Sequence, residues 1–131
     1  MNAPRKVIFL DINKNTQISG MTKTSTTFGH YIATMRAQQG LTQRALAARI
    51  HHENGHPISP QYLHDIEYDR RMPSSDHLLR QFAKALKLDT DYLYYLVGRL
   101  PEDICRLSLT ELEVSKGMKA LRNAKKHGKR R

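Results

Sequence analysis

A chain of 131 residues with 39% hydrophobic content has room for one modest core with polar extensions, not for two full domains. Its single cysteine, Cys105, excludes an internal disulfide framework and a cysteine-rich zinc site, and no apolar run approaches the roughly 18–20 residues of a membrane span. The formal net charge of +10 favours an anionic partner, of which nucleic acid is the commonest, and the N-terminus lacks a secretory-signal pattern, so a cytoplasmic protein is expected.

The charge is unevenly spread. Residues 1–26 carry four basic groups and one acidic group, a net of +3. Residues 27–100 carry nine basic and seven acidic groups, a net of only +2. Residues 101–131 carry nine basic and four acidic groups, a net of +5, and from Lys116 onward there are eight basic residues and no acid. Three regions are therefore expected: an N-terminal extension, partly flexible (1–26), a balanced globular middle (27–100) and a cationic C-terminal segment (101–131). In the first, Val7-Ile8-Phe9-Leu10 is an apolar run that suits either a short strand or an anchor on the main domain.

The middle reads as all-α. Phe28, Ile32 and Met35 share one helical face, and Gly40 supplies a C-terminal cap. Thr42 is an N-cap for a second helix, Gln43–Ile50, with Leu46, Ala47 and Ile50 inward. Asn54-Gly55-His56-Pro57 is breaker chemistry and predicts loop. Ser59-Pro60, an N-cap followed by proline at N1, opens a third helix that runs to about Tyr68 and buries Leu63 and Ile66. Met72-Pro73-Ser74-Ser75-Asp76 ends that region and caps a fourth helix, which buries Leu79, Phe82, Ala83 and Leu86. A short fifth helix begins at Asp91, contains Leu93 and Leu96, and closes at Gly98 and Pro101. Beyond it, Thr110-Glu111-Leu112-Glu113 is a capping box that predicts a helix over about residues 110–124, packing on the fifth helix or on a second subunit. The remaining Lys125–Arg131 is a basic tail, suited either to solubility or to phosphate binding.

The run Met35–Ala47, containing Gly40-Leu41-Thr42-Gln43, resembles helices one and two of the Cro/Xre-type, phage-repressor-like helix-turn-helix. Ile58–Glu67 followed by Arg70-Arg71-Met72-Pro73 is similar to its recognition helix and the loop after it, and Leu79–Leu96 to its fourth and fifth helices. The resemblance implies a five-helix DNA-binding domain, with the C-terminal helix and basic tail appended. The segment His51–Pro57 lengthens the usual turn between helices two and three by about six residues, which costs little entropy but bears on the angle between them.

DNA affinity comes largely from phosphate contacts, while sequence is read at base edges in the major groove. The resemblance therefore implies phosphate contacts from Thr42 and Gln43 at the start of helix two, from Ser59 and Tyr62 near the start of helix three, and from Arg70 and Arg71 beyond it. Base reading falls to the outward leading end of helix three: Pro60, Gln61, His64 and Asp65. Gln61 can bond adenine N6 and N7 together, and His64 can donate to guanine. Arg36 and Glu67 occupy the places of a family ion pair that braces the recognition helix. A homodimer on double-stranded DNA is expected, its reading heads one helical turn, about 34 Å, apart.

Other constellations carry less. His51, His52 and His56 lack the carboxylate or cysteine partners of a metal shell and read as solvated loop histidines, so no cofactor is expected. Asp65, Glu67 and Asp69 have no matching nucleophile or phosphate loop, which argues against an enzyme. Tyr92, Tyr94 and Tyr95 suit core and interface packing better than base stacking, and Cys105 reads as an ordinary thiol. An antitoxin-type autoregulator, with a toxin as a protein partner, is the alternative function.

Overall fold

The computed structural model describes residues 26–129, with side chains as far as residue 126. The apolar run Val7–Leu10 and the last two arginines of the basic tail lie outside the described residues. Within them the elements are α1 (Phe28–Gln38), α2 (Gln43–Ala47), α3 (Pro60–Glu67), α4 (Asp76–Leu86), α5 (Thr90–Val97), α6 (Glu102–Cys105) and α7 (Glu111–Lys129). The chain divides into two compact units between Leu100 and Pro101, α1–α5 in the first and α6–α7 in the second.

In the first unit the helix starts are set by side-chain oxygens standing in for missing carbonyl partners. Thr27 Oγ1 accepts from the His30 amide, Thr42 Oγ1 from Ala45, and Ser59 Oγ from Tyr62, each at 3.0 Å. Ser75 Oγ does the same for Leu78 at 3.3 Å. The C-terminus of α1 is closed by Gly40 in the left-handed region at φ 73°, where the amides of Gly40 and Leu41 return to the carbonyls of Ala37 and Arg36. Helix α3 ends in the same way on a non-glycine residue. Asp69 sits at φ 63° while the Arg70 amide donates to the Asp65 carbonyl at 2.8 Å. The Thr27 hydroxyl holds the Asp69 carboxylate at 3.0 Å, so one contact ties the start of α1 to the end of α3.

These starts and stops leave one apolar face per helix, and the faces meet in a single core. Phe28 and Ile32 of α1, Leu46 and Ala47 of α2, Leu63 and Ile66 of α3, Leu78, Leu79, Phe82 and Leu86 of α4, and Leu93 of α5 are buried there. Phe28 meets Phe82 edge-to-face at 5.6 Å between ring centroids, which joins α1 to α4 at the centre. Met35 and Leu96, expected on the inward faces, are partly buried at the margin. On α5, Tyr94 is buried, whereas Tyr92 lies edge-on to Tyr31 at 5.0 Å and stacks on the exposed Tyr95 at 6.0 Å. Burial, with Tyr31 and Tyr95 beside it, pushes the Tyr92 phenol above its ordinary value.

Several boundaries differ from those expected. Helix α2 stops at Ala47, and Ile50 reaches the core from the turn that follows. Helix α5 begins at Thr90 behind Asp89, whose side chain makes no capping bond. The segment expected to be loop is one, and its base is closed in the manner of a hairpin. The Ile58 amide donates to the Ile50 carbonyl and the His52 amide to the His56 carbonyl, both at 2.8 Å, and His51 and Pro57 form an antiparallel bridge. Two side chains of α4 fix its base: Gln81 Oε1 accepts from the His51 amide and His77 Nε2 donates to the His51 carbonyl, each at 3.0 Å. Ile50 and Ile58 are both buried, so the inserted residues leave the core and return to it at one place.

In the second unit, α6 is a single turn that the apolar periodicity did not predict. Helix α7 opens on the expected capping box, with the Thr110 amide donating to Glu113 Oε1 at 2.9 Å and the Glu113 amide to Thr110 Oγ1 at 3.2 Å. It continues past residue 124 to Lys129, so Lys125 and Lys126 belong to a helix rather than to a tail. No helix among the described residues is long and apolar enough to cross a membrane.

Candidate nucleic-acid interface

Helix α3 is held from behind with little freedom. Leu63 and Ile66 enter the core, and α1 approaches so closely at Gly29 that a β-carbon there would lie 2.1 Å from the Ile66 carbonyl oxygen and 2.9 Å from that of Glu67. No side chain fits at Gly29 without moving one of the two backbones. Nothing in the local sequence marks this close approach, because its cause is a backbone 37 residues away.

The charged part of the clasp centres on Glu67, whose side chain is 3% exposed. Arg36 grips it through two bonds, Nε to Oε2 at 2.6 Å and Nη2 to Oε1 at 2.9 Å. The third donor of Arg36, Nη1, reaches the Leu41 carbonyl at 2.8 Å, which fixes the link between α1 and α2. A buried carboxylate needs its lone pairs filled by donors. Gln43 Nε2 supplies another at 2.8 Å to Oε1. Three elements, α1, α2 and α3, thus converge on one carboxylate.

Gln43 was expected on the phosphate backbone, and its side chain is instead turned to Glu67, with His64 Nδ1 at 3.5 Å from the same nitrogen. The desolvated carboxylate outcompetes solvent for the amide. What Gln43 leaves at the helix start is its backbone N–H, one of the first-turn donors that have no intrahelical partner. Thr42 and Ser59 accept capping bonds, yet each hydroxyl keeps its own proton and can donate it outward.

The outer side of α3 carries a second, looser cluster. Pro60 and Gln61 are exposed, and His64 and Asp65 are half-buried. Gln61 Nε2 donates to Asp65 Oδ1 at 3.0 Å. Arg70 Nη1 lies 3.5 Å and Arg71 Nε 3.8 Å from the same carboxylate. Asp65, expected among the base readers, therefore stands between one expected base reader and two expected phosphate contacts. Arg71 also lies over the Tyr62 ring at 5.6 Å and Arg70 over the Tyr68 ring at 5.7 Å, while the His64 and Tyr68 rings are 4.4 Å apart. His52 of the inserted hairpin approaches the other expected phosphate contact, Tyr62, at 5.8 Å between ring centroids. The exposed leading end of α3 is thus bordered by two guanidinium groups and by a hairpin fixed to α4.

A family model described as a helix-turn-helix domain matches residues 27–93, which span α1 to α5. The chain belongs to the helix-turn-helix domain family. That family is associated with Cro/Xre-like regulators. No curated protein matches the sequence significantly. Among solved structures, the chain is similar to Bacillus thuringiensis PlcR, crystallised in complex with the peptide PapR7 and DNA, at 22% identity and a TM-score of 0.45. That similarity covers 74% of this chain and 28% of PlcR. Among the described residues no group of three or more His, Cys, Asp or Glu side chains is placed to hold a metal ion.

Proposed function

We propose that this helix-turn-helix protein is a DNA-binding transcriptional regulator that reads the major groove with the leading end of α3. The observation that carries the reading is the contrast between the two sides of that helix. Its inner side is fixed by Leu63, Ile66 and the Arg36–Glu67 clasp, while Pro60 and Gln61 stand open at its start. A recognition element needs this combination, because base contacts discriminate only when the backbone that carries them cannot relax.

In this reading Thr42 and Ser59 donate their hydroxyl protons to phosphates, helped by the first-turn amides of α2 and α3. Tyr62, Arg70 and Arg71 hold the backbone on the far side of the groove. Gln61 leaves Asp65 to face an adenine, and His64 reads the base beside it. Releasing Asp65 costs little, since the Gln61–Asp65 bond is exposed and water can replace it. One domain of this size reads few bases, so the functional form is a homodimer with two heads about 34 Å apart on the duplex.

Selection of bound sequences from a random duplex pool tests the proposal. An enriched two-part site is expected, and Gln61→Ala should cost roughly 1–3 kcal/mol on that site and relax preference at one position in each half. A pool that shows no enriched sequence overturns the reading. Light scattering on the protein bound to the selected site checks the dimer, which a single copy per site excludes.

A further inference from the structure

We infer that α7 is a second, sequence-independent contact to the DNA backbone, carried by a basic face of the helix; this role rests on the regulator reading above. Lys116, Lys119, Arg122 and Lys126 follow one another at intervals of three or four residues, which places them along one side of an α-helix. All four are exposed.

Local helix energetics do not account for this row. Cations favour a helix C-terminus, but that effect is confined to the last turn, and Lys116 and Lys119 lie in the first half of α7. Intrahelical ion pairs do not account for it either. The acids of α7 are Glu111 and Glu113, both in the first turn, and Glu113 already serves the capping box. From Lys119 onward no acid lies within one turn along the helix.

The partner that fits is a regular line of negative charge. From Lys116 to Lys126 the helix rises ~15 Å, and duplex DNA presents one phosphate per ~1.7 Å of its axis, counting both strands. A straight basic row can therefore face several phosphates at once without reading any base. The helix-turn-helix region, residues 27–100 with a net of +2, supplies little of this long-range attraction, and residues 101–131, with a net of +5, supply more.

The test compares the full chain with the variant carrying Lys116→Gln, Lys119→Gln, Arg122→Gln and Lys126→Gln. Glutamine keeps good helix propensity, and far-UV circular dichroism should show the helix content unchanged. Binding to a mixed-sequence duplex is measured over a range of salt concentrations. The slope of log K against log salt should become shallower by about 3.6, since each of the four lost phosphate contacts removes roughly 0.9. Affinity for the selected site should fall by the same factor as affinity for the mixed duplex. An unchanged slope overturns the inference, including the case where only the oligomeric state changes. A loss confined to the selected site overturns it as well. The two proposals fail separately: a pool without an enriched sequence removes base reading by α3, whereas the salt slope on mixed duplex reports on α7 alone.

Discussion

The two units of this chain use charge in opposite ways. In residues 26–100 the charged groups work in short-range contacts. Glu67 is surrounded by Arg36 and Gln43, Asp65 by Gln61, Arg70 and Arg71, and Asp69 is held by Thr27. In residues 101–129 the side chains of α7 are exposed along the whole described length, and its cations outnumber its acids. The first arrangement fixes geometry, because a buried or shared carboxylate tolerates few alternative conformations. The second fixes little and projects a field. Affinity and specificity for DNA have the same two sources, phosphate attraction and base readout, so the division of the chain parallels a division of physical labour.

The sharpest way to break this contrast is to remove the carboxylate at the centre of the first unit. Glu67→Ala leaves the Arg36 guanidinium, which is 18% exposed, without its partner, and a broken buried pair costs about 3–5 kcal/mol. Urea unfolding should register a loss of that size, while Arg36→Met combined with Glu67→Leu should recover much of it. A loss under about 1 kcal/mol would mean that the clasp does not hold α3. Gly29→Ala comes next. The new β-carbon would meet the Ile66 carbonyl at 2.1 Å, a backbone atom that cannot swing aside, so about 1–3 kcal/mol or more is expected. Because the strain acts on α3 itself, the variant should also lose site preference at temperatures where it remains folded, as read by the ratio of selected-site to mixed-duplex affinity. Retained preference would show that α1 and α3 can separate without disturbing the leading end.

What could be read from the residues, and what could not, follows the range of the forces involved. The caps at Thr42, Ser59 and Thr110 are local chemistry, one hydroxyl and an amide three residues on, and they were legible. So were Leu63 and Ile66 of α3 and Leu79, Phe82, Ala83 and Leu86 of α4, which repeat at helical spacing, whereas the buried Leu78 beside them was not marked. The inward turn of Gln43 was not, because its cause is a carboxylate 24 residues away. The hairpin was hidden for the same reason. Asn54-Gly55-His56-Pro57 signals a break in either case, while the contacts that fix the fold of His51–Pro57 come from His77 and Gln81 on a later helix. Gly29 and Asp69 belong to the same class, one needed where two backbones meet and the other capping α3 in a conformation that glycine adopts more readily. Helix α6 is one turn long, too short for periodicity to mark, although Pro101 followed by two acids is a helix-start composition.

The smallest expected effect lies in the second unit and separates it most cleanly from the first. Thr110→Ala removes the oxygen that accepts from the Glu113 amide at 3.2 Å, and loss of such a cap costs about 1 kcal/mol. Helix α7 has no buried side chain among residues 111–126, so no core burial replaces the lost bond. Far-UV circular dichroism should show reduced helix content, while the cooperative unfolding of the first unit keeps its midpoint. If the basic face acts only as an ordered row, the salt slope on mixed duplex should become shallower as the helix frays from its start. If charge alone matters, whatever its arrangement, the slope should stay where it was, and the contrast between the units then reduces to net charge without geometry.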